Sequence, residues 1–218
     1  MTSVTDAPPG ELLVALRAVG LRFPGGSGLA ATDLEVRAGE LVVVRGPSGS
    51  GKSTLLAILA GWATPDQGVL EWGPALAAPA TRGRWSSIAA LLQLLAPATE
   101  LSILENVMFP LRASGVSAAE ARARALAALA ALDAAELADR AIGAVSMGQQ
   151  QRAMLARAIV DEPTLLLVDE PTSHQDPDHA GSVVDQLRAV AHRHGGCLVA
   201  THDELVIARA DRVVDLVR

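Results

Sequence analysis

The sequence predicts an α/β fold: a mostly parallel β-sheet, preceded by an antiparallel β portion and interrupted by an inserted α-helical subdomain. Three observations lead there. Short β-branched or leucine-rich runs at Leu41–Arg45, Leu165–Val168 and Cys197–Ala200 are spaced by helix-like stretches, as buried parallel strands with crossover helices are. The first of these runs feeds a glycine-rich turn, Gly46–Ser53, and then an apolar-patterned helix. Between about residues 94 and 159 the composition shifts to alanine interspersed with arginine and glutamate, which favours helix.

Taken in order, Leu12–Phe23 alternates loosely and reads as a strand, Pro24–Gly28 as a loop and Thr32–Val36 as a second strand. A turn at Ala38–Glu40 precedes the Leu41–Arg45 strand, and Ser53–Gly61 is the helix after the glycine turn. Thr64–Gly68 is a turn, Val69–Trp72 a strand, Pro74–Arg84 an Ala/Pro/Gly-rich loop and Ile88–Leu92 another strand. Helices are expected at Ala118–Leu132, Ala134–Ala141 and Ala180–His194, with a last strand at Arg212–Leu216. Heptads are not sustained in the alanine-rich block, so an isolated coiled coil is set aside. The expected organisation is one domain, 1–218, with its core from 1–93 and 160–218 and the helical subdomain from 94–159.

Composition narrows the function classes. Half of the 218 residues are hydrophobic, enough for one substantial core. The net charge of −6 comes with no basic stripe, which argues against nucleic acid as a partner. Cys197 is the single cysteine, so no disulfide forms within the chain; a buried thiol and a reduced, cytoplasmic setting are expected. No apolar run reaches the ~18 residues of a membrane span. Met1–Gly10 lacks the basic start and apolar stretch of a signal peptide, so the chain is not expected to enter a membrane. Every basic residue of the 18 except Lys52 is arginine. A compact ammonium kept at one position singles out Lys52 for a specific task.

That lysine closes the segment Gly46-Pro47-Ser48-Gly49-Ser50-Gly51-Lys52-Ser53, followed by Thr54, which matches the P-loop pattern in its required strand-before, helix-after context. Glycines let the backbone wrap phosphate oxygens, and amides at the helix N-terminus point at them. Lys52 would reach the β- and γ-phosphates and the Ser53 hydroxyl would hold Mg²⁺. A chance match in this length is roughly a one-in-a-hundred event from average composition. The apolar strand at Leu165–Val168 ends in Asp169 and Glu170. Asp169 can act around Mg²⁺ and Glu170 can polarise the attacking water.

With these residues in view, the chain resembles the ABC ATPase family nearly end to end. The resemblance implies a P-loop NTPase (RecA-like) fold that binds ATP with Mg²⁺ and hydrolyses it. Gln93 stands at the family's Q-loop position, which senses Mg²⁺ and couples to the membrane partner. Val145-Ser146-Met147-Gly148-Gln149 resembles the family signature, Pro171–Asp176 the D-loop, and His202 in Thr201-His202-Asp203 the switch histidine. Phe23 stands where the family stacks an aromatic on adenine. Ser146 would cap a helix whose positive end faces the nucleotide of a second subunit, so two copies, identical or similar, are expected head to tail. The implied catalytic set is Lys52, Glu170 and His202, and the implied metal set Ser53, Gln93 and Asp169.

Three positions depart from the family pattern: Met147 where glycine is usual, Val145 where leucine is usual, and Gln175 where an apolar residue is common. If the backbone at 147 needs positive φ, methionine is strained there. Leu101–Leu111 resembles a subgroup serving lipoprotein release, macrolide efflux and bacterial cell division. Met108, Phe109 and Leu111, beside Gln93, form the expected dock for a separate permease-like membrane protein, with the chain peripheral at the membrane's inner face. A nucleotide-switched regulatory module that transports nothing carries the same motifs. A soluble protein acting on DNA or ribosomes is set aside, because this chain has neither paired motors nor a long coiled-coil insertion. His192 and His194 are expected at a solvated helix end, and Trp62, Trp72 and Trp85 in packing roles.

Overall fold

Two sheets organise the computed structural model, which describes residues 10–76, 87–92 and 97–216. In the first, β1 (Leu12–Arg22) is the centre of an antiparallel sheet with β2 (Gly28–Arg37) and β4 (Gln67–Trp72). In the second, β3 (Leu41–Arg45), β5 (Ile88–Leu91), β6 (Leu165–Asp169), β7 (Gly196–Ala200) and β8 (Arg212–Asp215) lie in the order β5-β6-β7-β3-β8. Every pairing in that sheet is parallel. The second strand begins four residues before the expected Thr32, because Gly28 and Leu29 pair with Arg22 and Leu21 across the hairpin.

The central parallel strands β3, β6 and β7 are nearly continuous apolar runs because both their faces are covered. Leu41 and Val43 of β3 face a core shared with α2 (Ile103–Ala113), α3 (Ala118–Ala130), α4 (Met147–Ile159) and α5 (Pro177–His194). Val42 and Val44 face the other core, shared with α1 (Lys52–Leu59) and the antiparallel sheet. The same alternation in β7 puts Cys197 on the helical side, fully buried.

The helical block starts with a capping box: the Ser102 Oγ accepts from the Glu105 amide at 3.2 Å, and the Glu105 carboxylate accepts from the Ser102 amide at 2.8 Å. Ser117 caps α3 in turn. The helix expected at Ala134–Ala141 is absent; only a 3-10 turn, Ala135–Leu137, forms. Helix composition loses there to tertiary hydrogen bonding. The carbonyls of Ala138 and Arg140 accept from the first amides of α2, Leu104 at 2.8 Å and Ile103 at 2.9 Å. Asp133, at φ 51, breaks the chain away from α3. Trp72 packs against the core as expected, whereas Trp62 is 61% exposed; Trp85 lies outside the described residues. Among the described residues no helix is long and apolar enough to cross a membrane.

Candidate functional site

Three neighbouring parallel strands, β6, β7 and β3, deliver their C-terminal ends to one edge of the sheet, where open α/β folds place ligands. Arg45 of β3 hands the chain to Gly46, and α1 starts at Lys52. Gly51, just before α1, has φ 97, and a Cβ there would stand 2.5 Å from the Gly28 carbonyl oxygen, so only glycine fits. No side chain caps α1, which leaves the donor capacity of its first turn for an anion. The Lys52 Nζ donates to the carbonyls of Gly46 at 2.8 Å and Pro47 at 3.3 Å, so the ammonium arcs back over the loop. A cleft of about 590 Å³ opens here, with Phe23, Lys52, Ser53, Thr54, Glu170 and His202 among its walls. Phe23 is 44% exposed at its rim and is not a core aromatic.

Ser50, expected among the phosphate binders, points the other way. Its side chain is buried against Gly46 with its hydroxyl unpartnered, and its amide donates to the Pro47 carbonyl at 3.1 Å. Gln93 lies outside the described residues.

Across the cleft floor, the Ser53 Oγ donates to Asp169 Oδ2 at 2.6 Å. Asp169 is buried at the end of β6, and burial pushes its carboxyl above the usual carboxylate range. A buried carboxylate and a hydroxyl side by side are hard oxygen donors, which fits a divalent cation such as Mg²⁺.

Glu170 is the most constrained residue of the site. Its φ of 47 lies in the left-handed region, which costs a non-glycine residue about 1–3 kcal/mol unless its surroundings enforce it. Several contacts enforce it. Its amide donates to the Ala200 carbonyl at 2.8 Å, and its own carbonyl accepts from Gln151 Nε2 at 2.8 Å and Ser173 Oγ at 3.1 Å. On its carboxylate, Oε1 accepts from His202 Nδ1 at 2.9 Å and Oε2 from Thr201 Oγ1 at 2.8 Å. The Glu170 carboxylate raises the pKa of the His202 imidazole above its ordinary value. Thr172 Oγ1 also bonds Asp203 Oδ2, tying the turn after Glu170 to the segment that carries His202.

Ser146, Gly148 and Gln149 lie elsewhere: none of them lines the cleft of their own chain. Ser146 caps α4 through a second capping box, accepting from the Gln149 amide at 3.3 Å while Gln149 Oε1 accepts from the Ser146 amide at 3.0 Å. Met147 is the first residue of α4, 52% exposed, and its φ is not positive, so the condition under which methionine would be strained there is not met. Gly148 is sterically required, since a Cβ would meet the His174 carbonyl oxygen at 2.2 Å.

Residues 29–173 match the ABC transporter family. The chain belongs to that family. It is 40% identical over 194 residues to the lipoprotein-releasing system ATP-binding protein LolD of Paramagnetospirillum magneticum, covering 86% of each chain. It is also 40% identical over 192 residues to an uncharacterized ABC transporter ATP-binding protein of Mycobacterium tuberculosis. That match covers 84% of this chain but only 57% of the relative, so the chain spans little more than half of that protein's length. Among solved structures, an ATP-binding cassette in a dimeric post-hydrolysis state with ADP and Pi superposes with a TM-score of 0.83, at 29% identity over 94% of both chains. The fold is thus that of the family's cassette.

Sequence reasoning missed Ser27 and Gly28 in the cleft wall, and Gln151 and Ser173 on the Glu170 carbonyl. Gln151 stands within the run after the signature and Ser173 within the D-loop, so their motifs pointed to the region. Nothing in the loop around Ser27 did.

Proposed function

We propose that this chain is the ATP-binding and hydrolysing subunit of a bacterial ABC transporter complex, acting at the inner face of the cell membrane. The observation that carries the reading is Glu170, held by His202 and Thr201 at the mouth of a P-loop cleft. Phe23 would stack on the adenine while Gly46–Thr54 wraps the phosphates. Lys52 would exchange the Gly46 and Pro47 carbonyls for phosphate oxygens. Ser53 and Asp169 would hold Mg²⁺ with Gln93, and the ion would neutralise charge developing on the phosphates. Glu170 would accept a proton from the attacking water, with the His202 imidazole orienting its carboxylate.

Ser146, Gly148 and Gln149 lie outside the chain's own cleft, which supports a head-to-tail dimer in which each copy completes the other's site. The dimeric state of the similar solved cassette agrees. A separate membrane protein would dock near Gln93 and on the Met108–Phe109 step of α2. Leu111 is not part of that surface, because it is fully buried. Phe109 is 52% exposed, and the Arg157 guanidinium lies 5.3 Å from its ring centre. Phe109→Asp should abolish co-purification with that partner while ATP binding persists; unchanged co-purification rejects the dock.

The deciding experiment is ATP turnover of the purified chain against Lys52→Ala and Glu170→Gln. Lys52→Ala should lose hydrolysis. Glu170→Gln should bind ATP, accumulate as a dimer and not turn over. Wild-type turnover in Glu170→Gln would reject the assignment of the base.

A further inference from the structure

We infer that Gln175 is a positioning residue for the hydrolysis assigned to Glu170, acting through a one-way relay of side-chain amides. The inference rests on Glu170 being the base. Arg152 Nη1 donates to Gln175 Oε1 at 3.0 Å. Gln175 Nε2 donates to Gln151 Oε1 at 2.9 Å and to the Gly148 carbonyl at 3.0 Å. Gln151 Nε2 donates to the Glu170 carbonyl at 2.8 Å.

The polarity of this relay has a single solution. A guanidinium only donates and a peptide carbonyl only accepts, so the two amides between them must both point their oxygens toward Arg152. Arg152 and Gln151 are both buried and Gln175 is half-buried, so a broken link leaves groups of Arg152 and Gln151 with little access to water. Gln175 thereby selects the rotamer of Gln151 that holds the carbonyl of Glu170, the residue in left-handed backbone. Its second amide hydrogen clamps the D-loop to the start of α4, where only Gly148 admits the His174 carbonyl. An apolar side chain at 175, common in the family this chain resembles, would leave Arg152 Nη1 and Gln151 Oε1 without these partners. The polar run Gln151-Arg152 and Gln175 therefore form one unit in this chain.

The test is steady-state ATP hydrolysis and ATP affinity of Gln175→Glu, Gln151→Met and the double variant, beside wild type and Glu170→Gln. Glutamate keeps the length and the Arg152 contact but has no hydrogen for Gln151 or Gly148. Losing these two links should lower kcat by about tenfold, with KM and Kd for ATP within about twofold of wild type. Gln151→Met already severs the last link, so adding Gln175→Glu to it should cost less than in wild type, the remainder being the lost Gly148 bond. If Gln175→Glu does not fold, Gln175→Met carries the same comparison. Unchanged kcat in the Gln175 variant, a rise in KM matching the fall in kcat, or multiplying effects in the double variant would each overturn the relay. If Glu170→Gln itself turns over, the base assignment falls and the relay falls with it. If Glu170→Gln is dead and the Gln175 variant is fully active, only the relay fails.

Discussion

Replacing Gly148 by alanine adds one methyl group where the structure has no space. The new Cβ would stand 2.2 Å from the His174 carbonyl oxygen, while ordinary contact begins near 3.4 Å. The D-loop must therefore retreat from α4 by about 1 Å. Stability reads this poorly, because two effects oppose. Alanine gains up to ~1 kcal/mol over glycine in a helix, less at its first turn, and overpacking costs ~1–3 kcal/mol. The net is a small loss, a few degrees in Tm. Rate reads it well. The displaced segment carries Ser173 and Gln175, which reach the Glu170 carbonyl directly or through Gln151. A shift of ~1 Å in catalytic geometry costs up to about 100-fold. Gly148→Ala should thus lower ATP turnover by about 10- to 100-fold while thermal unfolding moves little. Full turnover with a raised Tm would refute the close approach of α4 and the D-loop.

Two further perturbations test other parts of the structure. Asn106 is fully buried and its side chain accepts from the Ala98 amide at 2.8 Å and donates to the carbonyls of Ala98 and Ser102 at 3.0 Å. Asn106→Ala strands those groups and should cost ~2–4 kcal/mol in denaturant unfolding; a loss below ~1 kcal/mol would reject the network. His202 should titrate above its ordinary 6.5, and Glu170→Gln should return it toward that value, as read by NMR. Because the folded pKa is raised, the stabilisation from this pair is present below the unfolded pKa and is lost as pH rises through the folded one. The Tm difference between wild type and His202→Ala should shrink over that interval, and a difference that grows with pH would contradict the pairing.

Much of the fold was legible because its central parallel strands are buried on both faces. Leu41–Arg45 and Leu165–Asp169 announce themselves as apolar runs at nearly their observed limits. Ser146 marked the start of α4, since a cap and the helix that it opens are neighbours in sequence; the equally local pair Ser102 and Glu105, which opens α2, was not read. The stretch Ala134–Ala141 was illegible because its carbonyls bond to α2, a partner outside any local window. Likewise Ser50 sits inside the glycine motif, yet its side chain is claimed by the packing beneath Gly46.

By itself the sequence determined the chemistry on offer: one lysine after a glycine loop, two acids at a strand end, a histidine after another strand. Spacing along one chain is enough for that, because each motif is built by a strand and the turn that follows it. Tertiary structure alone decided how those motifs meet. The parallel order β6-β7-β3 brings Glu170 to His202 across 32 residues and Ser53 to Asp169 across 116, while leaving Ser146 outside the cleft. It also decided that Gln175, an oddity in the sequence, closes a hydrogen-bond chain with two buried residues, since the partners of its side chain arrive from α4 rather than from its own loop.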